Sequence, residues 1–142
     1  MVGERDLQVL LENMRPEMRP GIFVFCTIRA DETIPAALDP LVTFREHEGT
    51  TLVISRAEAE AAGLRATFAS RLITLTVHSA LDAVGFLAAI TARLAEAGIS
   101  VNAVSAFHHD HLFVPVDRAD EAMALLQQMS EAEHSWPGWS AA

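Results

Sequence analysis

Between Arg71 and Met129 the hydrophobic period changes from two to about 3.6 and back, so this stretch must mix strands with helices. Leu72, Thr74 and Thr76 alternate with Ile73, Leu75 and Val77, which predicts a strand with one buried face. A short polar joint, residues 79–85 (SALDAVG), follows. Val84, Leu87, Ile90 or Thr91, Leu94 and Ala97 then recur at helical spacing, and Gly98 is placed to stop the helix in the left-handed conformation. Residues 99–107 predict a second strand, 108–110 a turn and 111–116 a third strand. Asp117 is placed to cap a second helix, with Asp120 and Glu121 in its first turn and Ala122, Leu125, Leu126 and Met129 along its apolar stripe. The order β-α-β-β-α gives an α+β, ferredoxin-like half-sandwich: one antiparallel sheet with both helices on one face. The expected core is Ile73, Leu75, Val77, Leu87, Leu94, Ile99, Val101, Leu112, Val114 and Leu125. Pro115 lacks an N–H and is expected at a strand end or a bulge.

The preceding residues repeat part of this pattern. Leu7, Leu10, Leu11 and Met14 predict a short amphipathic helix that Pro16 ends. Residues 22–28 form a strand apolar on both faces, which implies cover on both sides. Residues 30–40 carry two prolines and read as a loop; 41–47 and 51–54 read as strands around a turn, and 67–69 as a short last strand. Ser55, Arg56, Ala57 and Glu58 form a capping box that opens a helix ending at Gly63. An offset of 62 matches Ser55 to Asp117, Leu52 to Val114, Ile54 to Val116, His47 to His109 and Glu48 to Asp110. Strand, turn, strand and capped helix thus occur twice. The expected organisation is an N-terminal helix and turn (1–20), a degenerate first module (21–70), a second module (71–135) and a tail (136–142). Trp136 and Trp139 in that tail suit a clasp on the domain or a protein contact.

The segment HSALDAVGFLAAITARLAEAGISVNAVSAFHHDHLFVPV resembles an ACT domain, a small-molecule-sensing regulatory module. The run from Ser105 to Val114 (SAFHHDHLFV) is similar to the corresponding segment of tandem ACT proteins, arginine sensors and aspartokinase regulatory regions among them. Ala106 and His111 stand where those proteins carry Thr and Tyr. The resemblance implies two βαββαβ-type modules, the first degenerate. It further implies a non-catalytic regulatory protein that binds a small molecule, in particular an amino acid. Its pocket would have Leu81, Asp82, Val84, Gly85 and Phe86 on one wall and Phe107, His108, His109 and Asp110 on the other. An assembly module without a small ligand, or an accessory subunit of a metabolic enzyme, are the alternative readings. ACT modules commonly pair, and the second half lacks a last strand, so a homodimer is expected.

Local chemistry sets the alternatives beside that resemblance. Residues 79–85 join a strand to a helix start, where free N–H groups suit a carboxylate, although Asp82 also suits a plain N-cap. Gly85 allows close approach of a ligand or close helix packing. His108, His109, Asp110 and His111 suit a polar turn, a ligand-binding turn or a metal site. Adjacent strand residues point to opposite faces, so no metal site is assigned. No cofactor motif, phosphate loop or nucleophile elbow is present, and no enzymatic activity is expected. A net charge of −9, with Arg and no Lys as the basic side chains, is a poor match to nucleic acid. Cys26 lies in an apolar strand and reads as a buried hydrophobe. The charged start MVGERDLQ and the lack of a spanning apolar run lead to the expectation of a cytoplasmic protein without a membrane segment.

Overall fold

The structure, a computed structural model, describes residues 3–135, with side chains through Glu131; the tail at 136–142, with Trp136 and Trp139, lies outside the described residues. The strands expected at 67–69 and from 72 onward are one element, β5 (Thr67–Leu75), because TFASRLITL contains no Gly or Pro to interrupt it. The first part of β5 pairs antiparallel with β2 (Phe23–Ile28), its second part with β1 (Pro16–Met18), and β7 (Asp110–Pro115) runs along its other edge. With β3 (Val42–Arg45), β4 (Thr50–Ser55) and β6 (Asn102–Ser105), the order is β3-β4-β2-β5-β7-β6. The fold is the expected α+β, two-module one, but β5 fuses the two sheets into a single seven-stranded sheet.

Pairing register fixes the faces. Phe23 lies opposite Ser70 and Leu72 opposite Phe113, so these four share one face; Val24, Ile54, Ile73 and Val114 point the other way. The helices cover the second face. α2 (Arg56–Ala62) packs on Val24, Cys26, Ile28, Leu52 and Ile54, and it carries the predicted Ser55–Glu58 capping box and a left-handed Gly63. α1 (Leu7–Asn13), α3 (Phe86–Glu96) and α4 (Ala119–Ser135) enclose Ile73, Leu75, Leu112 and Val114. Of the expected core, Ile73, Leu75, Leu94, Ile99, Leu112 and Val114 are buried, while Val77, Leu87, Val101 and Leu125 are half-buried at its margin. Phe86, Ile90 and Leu126 take the deeper helix positions.

Three local expectations change. Asp117 caps nothing: it sits inside a 3₁₀ turn (Val116–Arg118) that precedes α4, and Pro115 occupies the cap position. The repeat aligns at an offset of 60 (110 − 50), with residues 50–55 matching 110–115 in pairing and burial and 42–45 matching 102–105 in pairing. The two capping motifs are therefore not equivalent, since Pro115, which has no side-chain acceptor, stands in the place of Ser55. The edge left open by the second half is also filled. β1 lies beside β5 where a last strand would pair, and Leu10, Leu11 and Met14 of α1 join the second core. Pro115 is the last residue of β7, as its missing N–H requires.

A register shift between β2 and β5 at Phe23 and Phe25, with Phe68 at φ 57°, marks a bulge, and bulges bend a sheet. The bend curls the helix-free face inward. Val42 from one edge strand and Val104 from the other pack on a cluster of Val53, Leu72 and Phe113. This supplies the second cover that the two-faced apolar strand β2 called for.

Candidate functional site

The loop at residues 78–85 and the β6–β7 turn at 106–109 meet at one end of the second module. The rings of His78 and His109 are 5.1 Å apart and those of His78 and His108 are 5.9 Å apart. Between the two segments Asp110, 7% exposed, accepts hydrogen bonds from the hydroxyls of Ser105 at 2.6 Å and Ser79 at 3.2 Å. Both carboxylate oxygens are thus occupied, and Asp110 ties the loop to the turn.

A segment remote in sequence covers the loop. The Glu4 N–H donates to the His78 carbonyl at 2.7 Å, and the Ala80 N–H donates to the Glu4 carbonyl at 2.8 Å. Gly3 lies so close that a Cβ there would stand 2.6 Å from the Ala80 nitrogen. Arg5 Nε donates to Asp82 Oδ1 at 2.9 Å. That hydrogen bond holds the Asp82 carboxyl below the usual carboxylate range. Asp82 is therefore not the cap of α3. Gly85, left-handed at φ 92°, occupies the cap position and makes no side-chain hydrogen bond. A cavity of about 200 Å³ opens here, lined by Gly3, Arg5, Ser79, Ala80, Leu81, Asp82 and Phe107.

The expected wall residues separate into groups. Leu81, Asp82 and Phe107 line the cavity, with Leu81 and Phe107 both 69% exposed. Val84 is 85% exposed, and Gly85 approaches Leu7. His108 and His109 lie beside the loop with their rings tilted toward His78, and Asp110 lies beneath it. Phe86 does not belong to the wall: as the first residue of α3 it turns into the helix-side core, where burying its ring outweighs exposure at the loop. Sequence reasoning missed Gly3, Glu4 and Arg5, which carry no local motif. It also missed the partners of Asp110, although Ser79 and Ser105 flank the two segments it singled out.

Among the described residues, no group of three or more His, Cys, Asp or Glu side chains is arranged to hold a metal ion. The imidazoles instead shape the acid response. Burial, then the charges of His78 and His108, pulls His109 below the ordinary histidine value. Burial, then His109 and Arg19, does the same for His111, whose Nδ1 lies 3.0 Å from Thr74 Oγ1. A histidine depressed in the folded state leaves the unfolded chain binding more protons in acid, so its contribution to stability is present above the unfolded value and lost as pH falls. The melting temperature is expected to drop between about pH 7.5 and 5.5, a window above the carboxylates, and to drop less in the double variant His109→Gln, His111→Gln. Equal drops in both proteins would remove these imidazoles from the account.

No curated protein matches the chain in sequence. A possible transport protein of unknown function from Vibrio cholerae is 42% identical over 87% of this chain and 95% of its own, with a TM-score of 0.78. A protein from Agrobacterium tumefaciens is 21% identical over 82% of this chain and 89% of its own, with a TM-score of 0.72. The regulatory subunit of aspartate kinase from Thermus flavus is 10% identical over 81% of this chain and 96% of its own, with a TM-score of 0.60. These last two likenesses concern the fold. Family models described as ACT domain match residues 2–71 and 67–128, overlapping in the shared strand β5. A duplicated strand-turn-strand unit and two family matches that meet in β5 lead to one assignment: the chain belongs to the ACT-domain family and carries two ACT domains in tandem.

Proposed function

We propose that this chain is a non-catalytic regulatory protein that binds an amino acid in the cavity between the 78–85 loop and the 106–109 turn. The observation that carries the reading is the exposed Arg5–Asp82 pair on the wall of a cavity of about 200 Å³. An amino acid presents a carboxylate and an ammonium together, and these match a guanidinium and a carboxylate held side by side. The existing pair is solvent-exposed and contributes little by itself, so a zwitterion displaces it at small cost. Asp82 takes the role of ammonium partner in preference to Asp110, whose oxygens already hold two serines. Pockets for drug-sized ligands run to roughly 300–1,000 Å³, so this cavity suits a smaller molecule.

A screen of amino acids by thermal shift tests the reading, because a ligand at about 100 times its dissociation constant stabilises by about 2.7 kcal/mol. Binding is expected, and Asp82→Asn is expected to weaken it about tenfold without lowering the melting temperature of the free protein. The reading fails if no amino acid gives a shift at about 10 mM, or if Asp82→Asn binds as well as the parent.

The exposed apolar rim of Leu81, Val84 and Phe107 favours a second reading alongside the first. It suits contact with another protein surface, in a homodimer or with a partner enzyme that receives the signal. No nucleic-acid or membrane partner is part of the proposal. Among the described residues no helix is long and apolar enough to cross a membrane.

A further inference from the structure

The curled, helix-free face of the sheet encloses a second cavity, of about 340 Å³, that shares no lining residue with the loop–turn cavity. Its floor is Leu72 and Phe113, both buried, and Val104 walls one side. The polar groups gather at one place. Arg19 Nη1 lies 3.4 Å from Thr74 Oγ1, and that oxygen is 3.0 Å from His111 Nδ1, so a guanidinium and an imidazole converge on one hydroxyl. Arg19 and His111 both line the cavity, and among the described residues no carboxylate does, in a chain with 19 acidic residues against 10 basic ones. The ion pairs found among the described residues do not involve Arg19.

We infer that this cavity binds a small monocarboxylate with an apolar body, an aryl- or alkyl-carboxylate, with its charge at Arg19 and His111 and its body against Leu72, Val104 and Phe113. Charge complementarity selects the anion. The arginine supplies paired donors for a carboxylate, and it makes no ion pair among the described residues. The dry floor selects the body, since each buried methylene gains about 0.8 kcal/mol in leaving water. An amino acid is disfavoured here because its ammonium would be left without a partner. This site is independent of the one proposed for an amino acid.

Calorimetric titration of the full chain with phenylacetate and octanoate, against 2-phenylethanol and octanol as neutral matches, tests the inference. At least one carboxylate is expected to bind about tenfold or more tightly than its alcohol. Arg19→Gln, an exposed position, is expected to weaken the carboxylate by a similar factor with the melting temperature unchanged. Val104→Trp, which fills the cavity, is expected to abolish binding. The inference is overturned if alcohol and carboxylate bind alike, if Arg19→Gln leaves the affinity unaltered, or if neither acid binds. It is also overturned if light scattering shows a dimer that Val104→Arg dissociates, for then a second copy of the chain covers this face.

Discussion

Phe113→Ala is expected to cost about 3–5 kcal/mol, a large share of the 5–15 kcal/mol that keeps a domain folded. Among the described residues no helix lies over this ring, yet it is 1% exposed, because the curled sheet folds its own aromatic residues around it. Phe25 meets it edge-on at 5.5 Å and Phe23 at 6.2 Å, and each such pair adds about 0.5–1.5 kcal/mol beyond area burial. The ring therefore has nothing to collapse onto when it is removed, and the cavity next to it merges with the void. Urea denaturation measures the loss. Phe44→Ala provides the control, since that ring is largely exposed and surface changes usually fall within about 0.5 kcal/mol. A loss below about 1 kcal/mol for Phe113→Ala would mean that the helix-free face is wet rather than dry.

The second large effect lies on the other face. Leu94→Ala is expected to cost about 2–5 kcal/mol. Leu94 is fully buried on α3 within the cluster that holds Leu75, Leu112 and Leu126. The cluster draws on the sheet and on three helices, so relaxation of one element leaves a void against the others. Leu87, two steps back along the predicted stripe but half-buried at the core margin, should lose less on the same substitution. If Leu87→Ala proves as costly as Leu94→Ala, the orientation of α3 described above is wrong.

The elements with a strong period were legible in the sequence. The helical stripe through Ile90 and Leu94, the Ser55–Glu58 box and the proline at a strand end all stand where their local chemistry puts them. The alternation from Leu72 to Leu75 marked a strand, but the expectation of one buried face is corrected: Leu72 and Thr74 are buried too, because the curled sheet covers its own second face. What escaped depends on contacts between distant residues. Asp82 satisfies every local rule for an N-cap, but Arg5, 77 positions away, takes its carboxylate. A three-residue strand such as Pro16–Met18 has too little pattern to be read, and it is held by its pairing with β5. The repeat was visible but displaced by two residues, because a shift of two preserves which side of a strand each residue faces. At the site, the spacing of residues showed that the loop and the turn belong together. It did not show that the first residues of the chain would close over them, since GERD has no periodicity and no motif.

The pairing of Pro16 with Leu75 also orders events in time. During synthesis α1 and β1 emerge first, but the strand and helices they belong with are made later. They must wait while the intervening first module takes shape, and a contact spanning that much chain pays its loop-closure entropy before it gains any stability. The second module thus draws on both ends of the described chain, with the first module threaded as an insertion between them. A break in the 29–41 loop would leave the order of assembly much as it is, whereas separating residues 3–18 from the rest would strip the second module of both an edge strand and a helix. The segment that completes the sheet is thus continuous with the one that covers the 78–85 loop.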